Sequence, residues 1–226
     1  MQAFFITGTG TGIGKTLITT ALCRQLSDDG KKVTALKPII SGYEAADENN
    51  DSALILKSCG RVTTPEAVQS ISPWRFAAPL SPDMAAAREG KSVDFEALIA
   101  FCRDHEKRRD DILLVEGVGG IMTPLNERYT VLDWMRQLGW PVVLVTGSYL
   151  GALSHTLSAV EVVAKQLVIR ALIVSESASQ EVALEDTVNT LRRFIMPQIS
   201  IIPVPRIGTS KEIQKYMPSI RGALGL

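Results

Sequence analysis

The sequence predicts an α/β fold: a doubly wound, mostly parallel sheet flanked by helices, in a single domain that spans residues 1–226. Three observations support this prediction. Short apolar runs recur along the chain, amphipathic stretches of helix length separate them, and a glycine-rich loop joins the first run to the first stretch. Sheets of this kind place ligands beyond the carboxyl ends of their strands, so we expect the functional residues there.

The predicted strands are rich in β-branched and aliphatic residues and lack strict alternation, which is typical of strands covered on both faces. The stretches between them have the length and the amphipathic pattern of helices. We expect strands at residues 3–7, 32–37, 112–116, 141–146, 168–175 and 199–203, and helices at residues 15–28, 94–105, 151–165 and 183–194.

Residues 70–90 interrupt this alternation. The segment contains Pro73, Pro79 and Pro82 and has no clean period. It therefore predicts a long ordered loop with short helical turns, and a loop of this length in a compact domain is more often functional than not.

Composition argues against several classes of function. The 24 basic residues balance the 24 acidic ones and the pI is about 6.7, which argues against a nucleic-acid partner. The longest apolar runs are too short to cross a membrane, and the glycine-rich loop follows the first residue too closely for a signal peptide, so we expect a cytoplasmic protein without a membrane partner. Cys23, Cys59 and Cys102 lack paired spacing and predict reduced cysteines rather than a disulfide framework or a zinc site.

The strongest motif is the glycine-rich loop, which reads Gly-Thr-Gly-Thr-Gly-Ile-Gly-Lys-Thr from Gly8 to Thr16. Its glycines let backbone amides turn toward an anion, Lys15 can reach terminal phosphates, and the Thr16 hydroxyl is placed for Mg²⁺. The first glycine lies one residue earlier than in the usual P-loop, and the dinucleotide pattern Gly-x-Gly-x-x-Gly is not met. The loop therefore predicts a triphosphate site and a fold of the P-loop NTPase type.

Other polar residues stand at neighbouring strand ends. Glu116 ends the most apolar strand, so that its carboxylate is a candidate ligand for Mg²⁺. Lys37 ends the second strand, where a second ammonium group can stabilise a transferring phosphoryl group. Asp47, Glu48 and Asp51 follow in a polar loop before a helix that begins near residue 52, and the residues alone do not choose which of the three reaches the metal.

The combination resembles the dethiobiotin synthetase family. The shared motifs are Gly8-Thr-x-Thr-x-x-Gly-Lys-Thr16, Lys37-Pro-x-x-Ser41-Gly42, Asp51, Pro79-x-x-Pro82 and Val115-Glu-Gly-x-Gly-Gly120, in the order and spacing of that family. The resemblance implies a homodimeric ligase of biotin synthesis. It would convert 7,8-diaminononanoate and CO₂ into dethiobiotin, and the nucleoside triphosphate ATP into ADP and phosphate. One amine would capture CO₂ as a carbamate, the γ-phosphate would activate it as a mixed anhydride, and the second amine would close the ring.

The resemblance also implies roles for individual residues. Lys37 would be the catalytic lysine with Lys15 assisting, and Mg²⁺ would be bound by Thr16, Asp51 and Glu116. Thr11 and Ser41 would bind the diamine and its carbamate, and the helix start at Gly151, Ala152, Leu153 and Ser154 would bind the substrate carboxylate of the neighbouring subunit. The residues implied to bind the nucleotide are Gly12, Ile13, Gly14, Lys15, Thr16, Leu17, Asp51, Glu116, Gly117, Val118, Gly119, Glu176, Ser177, Ile202, Pro203 and Val204.

Three positions depart from the family's pattern. Ser154 stands where the family commonly has Asn, and the helix at 183–194 has no match for a substrate-contacting tyrosine. Glu176 and Ser177 stand where an Asn-Asp pair often contacts the base, and because a carboxylate only accepts hydrogen bonds, the base preference stays open.

A second hypothesis is a nucleotide-dependent dimeric switch ATPase of the partitioning type, which shares the doubly wound P-loop architecture. Such switches carry an additional lysine early in the loop. Residues 9–12 contain no lysine, and this hypothesis leaves Lys37 and Ser41 without a role.

Overall fold

The computed structural model describes residues 1–178, 182–207 and 216–225. Six strands form one parallel sheet: β1 (Gln2–Gly8), β2 (Val33–Leu36), β5 (Ile112–Glu116), β6 (Val142–Gly147), β7 (Ile169–Ser175) and β8 (Ser200–Val204). Their order is β2-β5-β1-β6-β7-β8 and every pairing between them is parallel. The predicted fold class is confirmed.

Eight helices of the described residues pack around this sheet. They are α1 (Lys15–Asp28), α2 (Asp51–Ser58), α3 (Pro65–Ile71), α4 (Pro82–Arg88), α5 (Phe95–Glu106), α6 (Val131–Leu138), α7 (Ala152–Ala164) and α8 (Leu184–Phe194), and a short 3-10 helix follows at Arg221–Leu224. The four helices that the amphipathic pattern predicts are present with bounds within one residue. Among the described helices, none is both long and apolar enough to cross a membrane.

The structure corrects the prediction for residues 70–90. The segment contains the end of α3, strand β4 (Trp74–Phe76) and helix α4, and β4 pairs in parallel with β3 (Ile39–Ser41) in a separate two-stranded sheet. Pro82 does not prevent a helix because it occupies the first turn of α4, where its missing N–H has no helical partner to lose. The predicted short helical turns are present as the end of α3 and as α4, but the loop prediction missed β4, because a strand of three residues is too short to show a period.

The buried core aligns the strand ends that form the site. All five residues of β5 are buried, and β5 lies between β2 and β1 in the sheet. Its register with β1 places Glu116 beside Ile6, and β6 places Val145 beside Gly8. The strand ends therefore meet at one edge, directly below the glycine-rich loop.

Candidate active site

Residues 9–14 form the phosphate-binding loop between β1 and α1. Gly14 is the N-cap of α1 and has a φ of 96°, a conformation that residues with a Cβ adopt only with strain. No side chain caps this helix, and its first turn carries no acidic residue. The first backbone amides of α1 are therefore available to an anion, as the sequence predicts for a triphosphate site.

Lys15 ties this loop to the loop that follows β5. Its ammonium group donates hydrogen bonds to the carbonyl oxygens of Gly10 at 2.6 Å and Gly119 at 2.8 Å, and the side chain is only 6% exposed. Burial, together with the positive charge of Lys37, lowers the pKa of Lys15 from 10.5 to about 8, although Glu116 and Asp51 partly offset this change. The lysine thus lies near its titration point at neutral to mildly alkaline pH.

This lowered pKa makes nucleotide binding depend on pH. The triphosphate favours the protonated lysine, so ATP binding without added metal should weaken as pH rises above 8, by at most about tenfold per pH unit. Calorimetry between pH 7.5 and 9.5, in buffers with different ionisation enthalpies, should show proton uptake near pH 8. Lys15→Arg keeps the charge at every pH tested and should abolish both effects. Equal affinity of the unmodified protein at pH 7.5 and 9.5 would contradict the assignment.

Glu116 lies at the centre of an oxygen cluster and is fully buried. Its Oε1 is 2.8 Å from the Thr16 Oγ1, and its Oε2 accepts a hydrogen bond from the Thr19 hydroxyl at 2.7 Å. The Thr16 Oγ1 is also 2.8 Å from Asp51 Oδ1. One hydroxyl hydrogen can serve only one of these two carboxylates at a time, which leaves the other oxygen for a cation. The structure thus brings together Thr16, Asp51 and Glu116, the three predicted metal ligands.

The donor set fits Mg²⁺. All three groups are hard oxygen ligands, and P-loop enzymes bind Mg²⁺ through one or two carboxylates, a hydroxyl and the phosphates. Among the described residues, no cluster of three or more His, Cys, Asp or Glu side chains could hold a metal. A metal ion here would have Thr16 Oγ1 as its third protein ligand, beside the two carboxylates.

Asp51 is available because its neighbour caps the helix. The Asn50 side chain accepts a hydrogen bond from the Ala53 amide and is the N-cap of α2, while Asp51 is the first helical residue. Asp47 accepts from the Asn49 amide in the preceding turn. Of the three acids that the sequence left open, Asp51 is the one in the cluster.

Lys37 is the second buried cation of the site, and it is 4% exposed. Its Nζ lies 2.7 Å from Glu116 Oε1, 2.7 Å from the carbonyl oxygen of Gly117 and 3.5 Å from Asp51 Oδ2. Burial by itself would lower the pKa of this lysine, but the negative charges of Glu116 and Asp51 outweigh burial and raise it. The pKa of Lys37 is therefore shifted in the opposite direction to that of Lys15.

The two lysines and the oxygen cluster line one cavity of about 690 Å³. The predicted site residues on its wall are Thr11, Gly12, Gly14, Lys15, Thr16, Leu17, Lys37, Ser41, Asp51, Glu116, Val118 and Gly119. The volume is in the range of sites that hold a small ligand. The wall also includes Ser41 and Ser81, whose buried hydroxyl oxygens have no hydrogen-bond partner and are available to a bound polar group.

Thr19 and Ser81 belong to this site but were not predicted from the sequence. Thr19 lies one helical turn after Thr16, and the helical period of α1 could have placed both on the same face. Ser81 precedes Pro82 in the segment expected to be a loop, so no periodic signal pointed to it.

A second cavity of about 380 Å³ lies on the other side of Gly12, Ile13 and Gly14. Glu176 and Ser177 line it; the Glu176 Oε2 accepts a hydrogen bond from the Arg206 amide at 2.8 Å, and Ser177 exchanges two hydrogen bonds with Ser148. The later part of its wall is formed by residues 205–207. Ile202, Pro203 and Val204 lie instead within β8, and the nucleotide-binding role of these three residues stays a prediction.

A third cavity of about 510 Å³ extends from Thr11 along one side of α7 to His155 and Ser158. It shares Thr11 and Thr123 with the main cavity. Gly151, Ala152, Leu153 and Ser154, at the start of α7, are not among the residues that line either cavity. Ala152 is buried and Ser154 is exposed, and the next residue, His155, is the first of α7 that lines the third cavity.

Comparisons with solved structures agree with the fold. The chain aligns over 99% of its length with 90% of the hydrogenase maturation factor HypB of Archaeoglobus fulgidus, at a TM-score of 0.55 and 17% identity. It aligns over 98% of its length with 91% of the septum site-determining protein MinD of Pyrococcus horikoshii, at a TM-score of 0.52 and 18% identity. At these identities the likeness establishes the fold alone.

Sequence comparisons establish the family. A family model described as an AAA domain matches residues 2–214. The ATP-dependent dethiobiotin synthetase BioD of Acidiphilium cryptum is 43% identical over 86% of this chain and 89% of its own length. The proteins of the same name in Methylobacterium nodulans and Caulobacter vibrioides are 44% and 42% identical, over 85% and 92% of this chain and 89% and 94% of their own lengths. This chain, whose phosphate-binding loop, paired lysines and oxygen cluster meet in one cavity, belongs to the family of ATP-dependent dethiobiotin synthetases.

Proposed function

We propose that this protein is an ATP-dependent ligase that makes dethiobiotin from 7,8-diaminononanoate and CO₂, with release of ADP and phosphate. Its family membership supports this function, because the relatives of 42–44% identity carry that name. One observation carries the proposal on the structural side: two buried lysines meet two carboxylates beside a phosphate-binding loop in one cavity.

The chemistry explains why two lysines are needed. A carbamate formed on the substrate amine and the triphosphate of ATP are both anions, and they repel each other when they are brought together. Lys15 and Lys37 provide positive charge in a site that is largely shielded from water, where electrostatic stabilisation of a developing charge is strongest. We assign to Lys37 the stabilisation of the phosphoryl group during transfer and to Lys15 the binding of the terminal phosphates.

Thr16, Asp51 and Glu116 would bind Mg²⁺ in this proposal. When bound, the ion supplies positive charge to the phosphate oxygens of the nucleotide. The Thr19 hydroxyl orients the Glu116 carboxylate through Oε2 and leaves Oε1 toward Thr16 and Lys37.

The acceptor side of the cavity is assigned to the diamine. Ser41 and Ser81 offer unpaired hydroxyl groups to the amines and to the carbamate, and Thr11 lies where the main cavity joins the third one. A molecule with two amines at one end and a carboxylate at the other suits two joined cavities, because its polar ends are separated by an apolar chain.

The carboxylate end is assigned to a second copy of this chain. No side chain caps the start of α7, and although the Ala152 amide bonds to the Tyr149 carbonyl oxygen, the amides that follow are a suitable carboxylate site. Gly151, Ala152, Leu153 and Ser154 do not line the main or the third cavity of their own chain. Leu150, beside this helix start, is 79% exposed and Met122 on the third cavity is 57% exposed, as expected for residues of an interface. A closed two-fold dimer would bring each helix start to the other chain's site.

Light scattering should give twice the 24.5 kDa chain mass.

The deciding experiment measures phosphate release with diaminononanoate, bicarbonate and MgATP. We expect release to depend on the diamine and to match dethiobiotin formation mole for mole. An equal rate of phosphate release with and without the diamine would reject the synthetase and favour the switch ATPase. The likeness to MinD does not by itself favour the switch, because it rests on the fold.

A further inference from the structure

Two of the three cysteines touch each other, at a place that the proposed reaction does not use. The Sγ atoms of Cys23, on α1, and Cys59, at the C-terminal end of α2, are 3.5 Å apart. Cys23 is completely buried, whereas Cys59 is partly exposed. Cys59 is therefore the residue of the pair that is partly open to solvent, and the Cys23 sulfur is in contact with it from the buried side.

The helices that carry these cysteines also carry two of the proposed metal ligands. Both helices begin at the oxygen cluster, where Thr16 Oγ1 and Asp51 Oδ1 are 2.8 Å apart. Cys23 comes about two turns after Thr16, and Cys59 follows Asp51 by the length of α2, about 12 Å at 1.5 Å per residue. The helices thus run side by side from the site, with one close contact at each end.

The surroundings give the two sulfurs different roles. The contact with Cys23 is the main influence that lowers the pKa of Cys59, and Ser58 and the positive charge of Arg61 act in the same direction. The same contact, followed by burial, raises the pKa of Cys23. Thiolates are the nucleophilic form of cysteine, and Cys59 is also the partly exposed member of the pair, so Cys59 is suited to attack and the buried Cys23 to resolve.

We propose that Cys23 and Cys59 are a site of reversible disulfide formation that joins the phosphate-loop helix α1 to the Asp51 helix α2 when the protein meets a peroxide. The Cys59 thiol loses its proton to water and its thiolate attacks one peroxide oxygen. The O–O bond breaks, and the departing alkoxide or hydroxide takes up a proton to become an alcohol or water. The Cys23 sulfur then displaces hydroxide from the Cys59 sulfenic acid, so that an S–S bond forms and a water leaves. Two thiols are oxidised by two electrons in total, the peroxide is reduced, and a dithiol reverses the bond.

The geometry permits this bond with a small movement. The sulfurs must approach from 3.5 Å to about 2.05 Å, a change that rotation of the two side chains can supply in part. Once formed, the bond prevents α2 from moving away from α1 at the end remote from the cluster.

Cys102 provides a matched control within the chain. It is completely buried on α5, and burial raises its pKa to about 12. We expect hydrogen peroxide to reduce the count of free thiols in the folded, full-length protein from three to one and its mass by 2 Da, with Cys23 and Cys59 in one cross-linked peptide. Cys102→Ser should still form the bond, whereas Cys59→Ser and Cys23→Ser should not, and dithiothreitol should restore all three thiols.

A second measurement tests the link between the helices. Amide hydrogen exchange in α2 should slow after peroxide treatment of the unmodified protein, and it should stay unchanged in Cys59→Ser treated in the same way. Two results would overturn the proposal: three thiols that survive peroxide in the folded protein, or a gain of oxygen atoms at Cys59 without a cross-link. A cross-link that leaves hydrogen exchange in α2 unaltered would refute the claim that the disulfide restrains α2 against α1.

Discussion

Lys37→Ala should lower turnover of diaminononanoate by about 10²–10³-fold, the range found when one donor that stabilises a developing negative charge is removed. The effect should fall mainly on kcat, because the phosphate loop, Lys15 and the oxygen cluster, to which we assign MgATP binding, are retained. Steady-state kinetics with varied diamine and varied MgATP will separate kcat from the two KM values.

The variant needs a control for stability, since Lys37 is the buried partner of Glu116. Removing one member of a buried ion pair costs about 3–5 kcal/mol of the free energy of unfolding. The double variant Lys37→Met, Glu116→Gln removes both charges and should recover much of that stability while turnover stays low. Lys91→Ala removes a lysine from an exposed pair with Glu89 and should change neither property. Turnover of Lys37→Ala within threefold of the unmodified protein, in a folded sample, would remove the catalytic role of Lys37.

Glu116→Gln should raise the Mg²⁺ concentration needed for half-maximal activity by at least roughly 10–100-fold, the loss typical when a residue that only supports a metal ligand is altered. The substitution keeps the shape of the side chain but replaces a charged oxygen with an NH₂ group. Thr16, Thr19 and Lys37 all donate hydrogen bonds toward this carboxylate. The new NH₂ group is itself a donor, so it cannot accept the hydrogen bond of the donor that it faces. The loss should appear both in Mg²⁺ titrations of activity and in calorimetric titrations of the nucleotide-bound protein with Mg²⁺.

Glu89→Gln is the matched control, since Glu89 has an exposed lysine partner and lies outside the cavity. Its Mg²⁺ titration should superimpose on that of the unmodified protein. If the Glu116→Gln curve superimposes as well, Glu116 is not a metal ligand.

The sequence predicts this site well where charged or hydroxyl-bearing residues stand at the ends of predicted strands. Lys15, Thr16 and Glu116 stand at the ends of long apolar strands or at the start of the helix that follows, and the parallel sheet brings these ends together. Lys37 could be placed in the same way, because it directly follows β2. The register that puts Glu116 next to Ile6 is not visible in the sequence, but any parallel pairing of β1 with β5 brings their carboxyl ends close.

Other features depend on contacts between distant segments, which local patterns do not record. Three residues in β3 and three in β4 are too few to show alternation, so the second sheet and Ser81 were not foreseen. The choice of Asp51 among three acids depends on Asn50 as the N-cap of α2. Likewise, nothing in the spacing of Cys23 and Cys59 indicates that their sulfurs touch.

The two-stranded sheet divides the cavity wall into two independently supported halves. One half, with the phosphate loop and Glu116, is fixed to the six-stranded sheet, whereas Ser41 and the turn that carries Ser81 are held by the pairing of β3 with β4 and by the hydrogen bond from Gly42 to Ala78. Substitutions that reshape the second half need not disturb the first. With Ser41 and Ser81 assigned to the diamine, we expect that the choice of amine can change, in evolution or by engineering, while binding of the triphosphate is preserved.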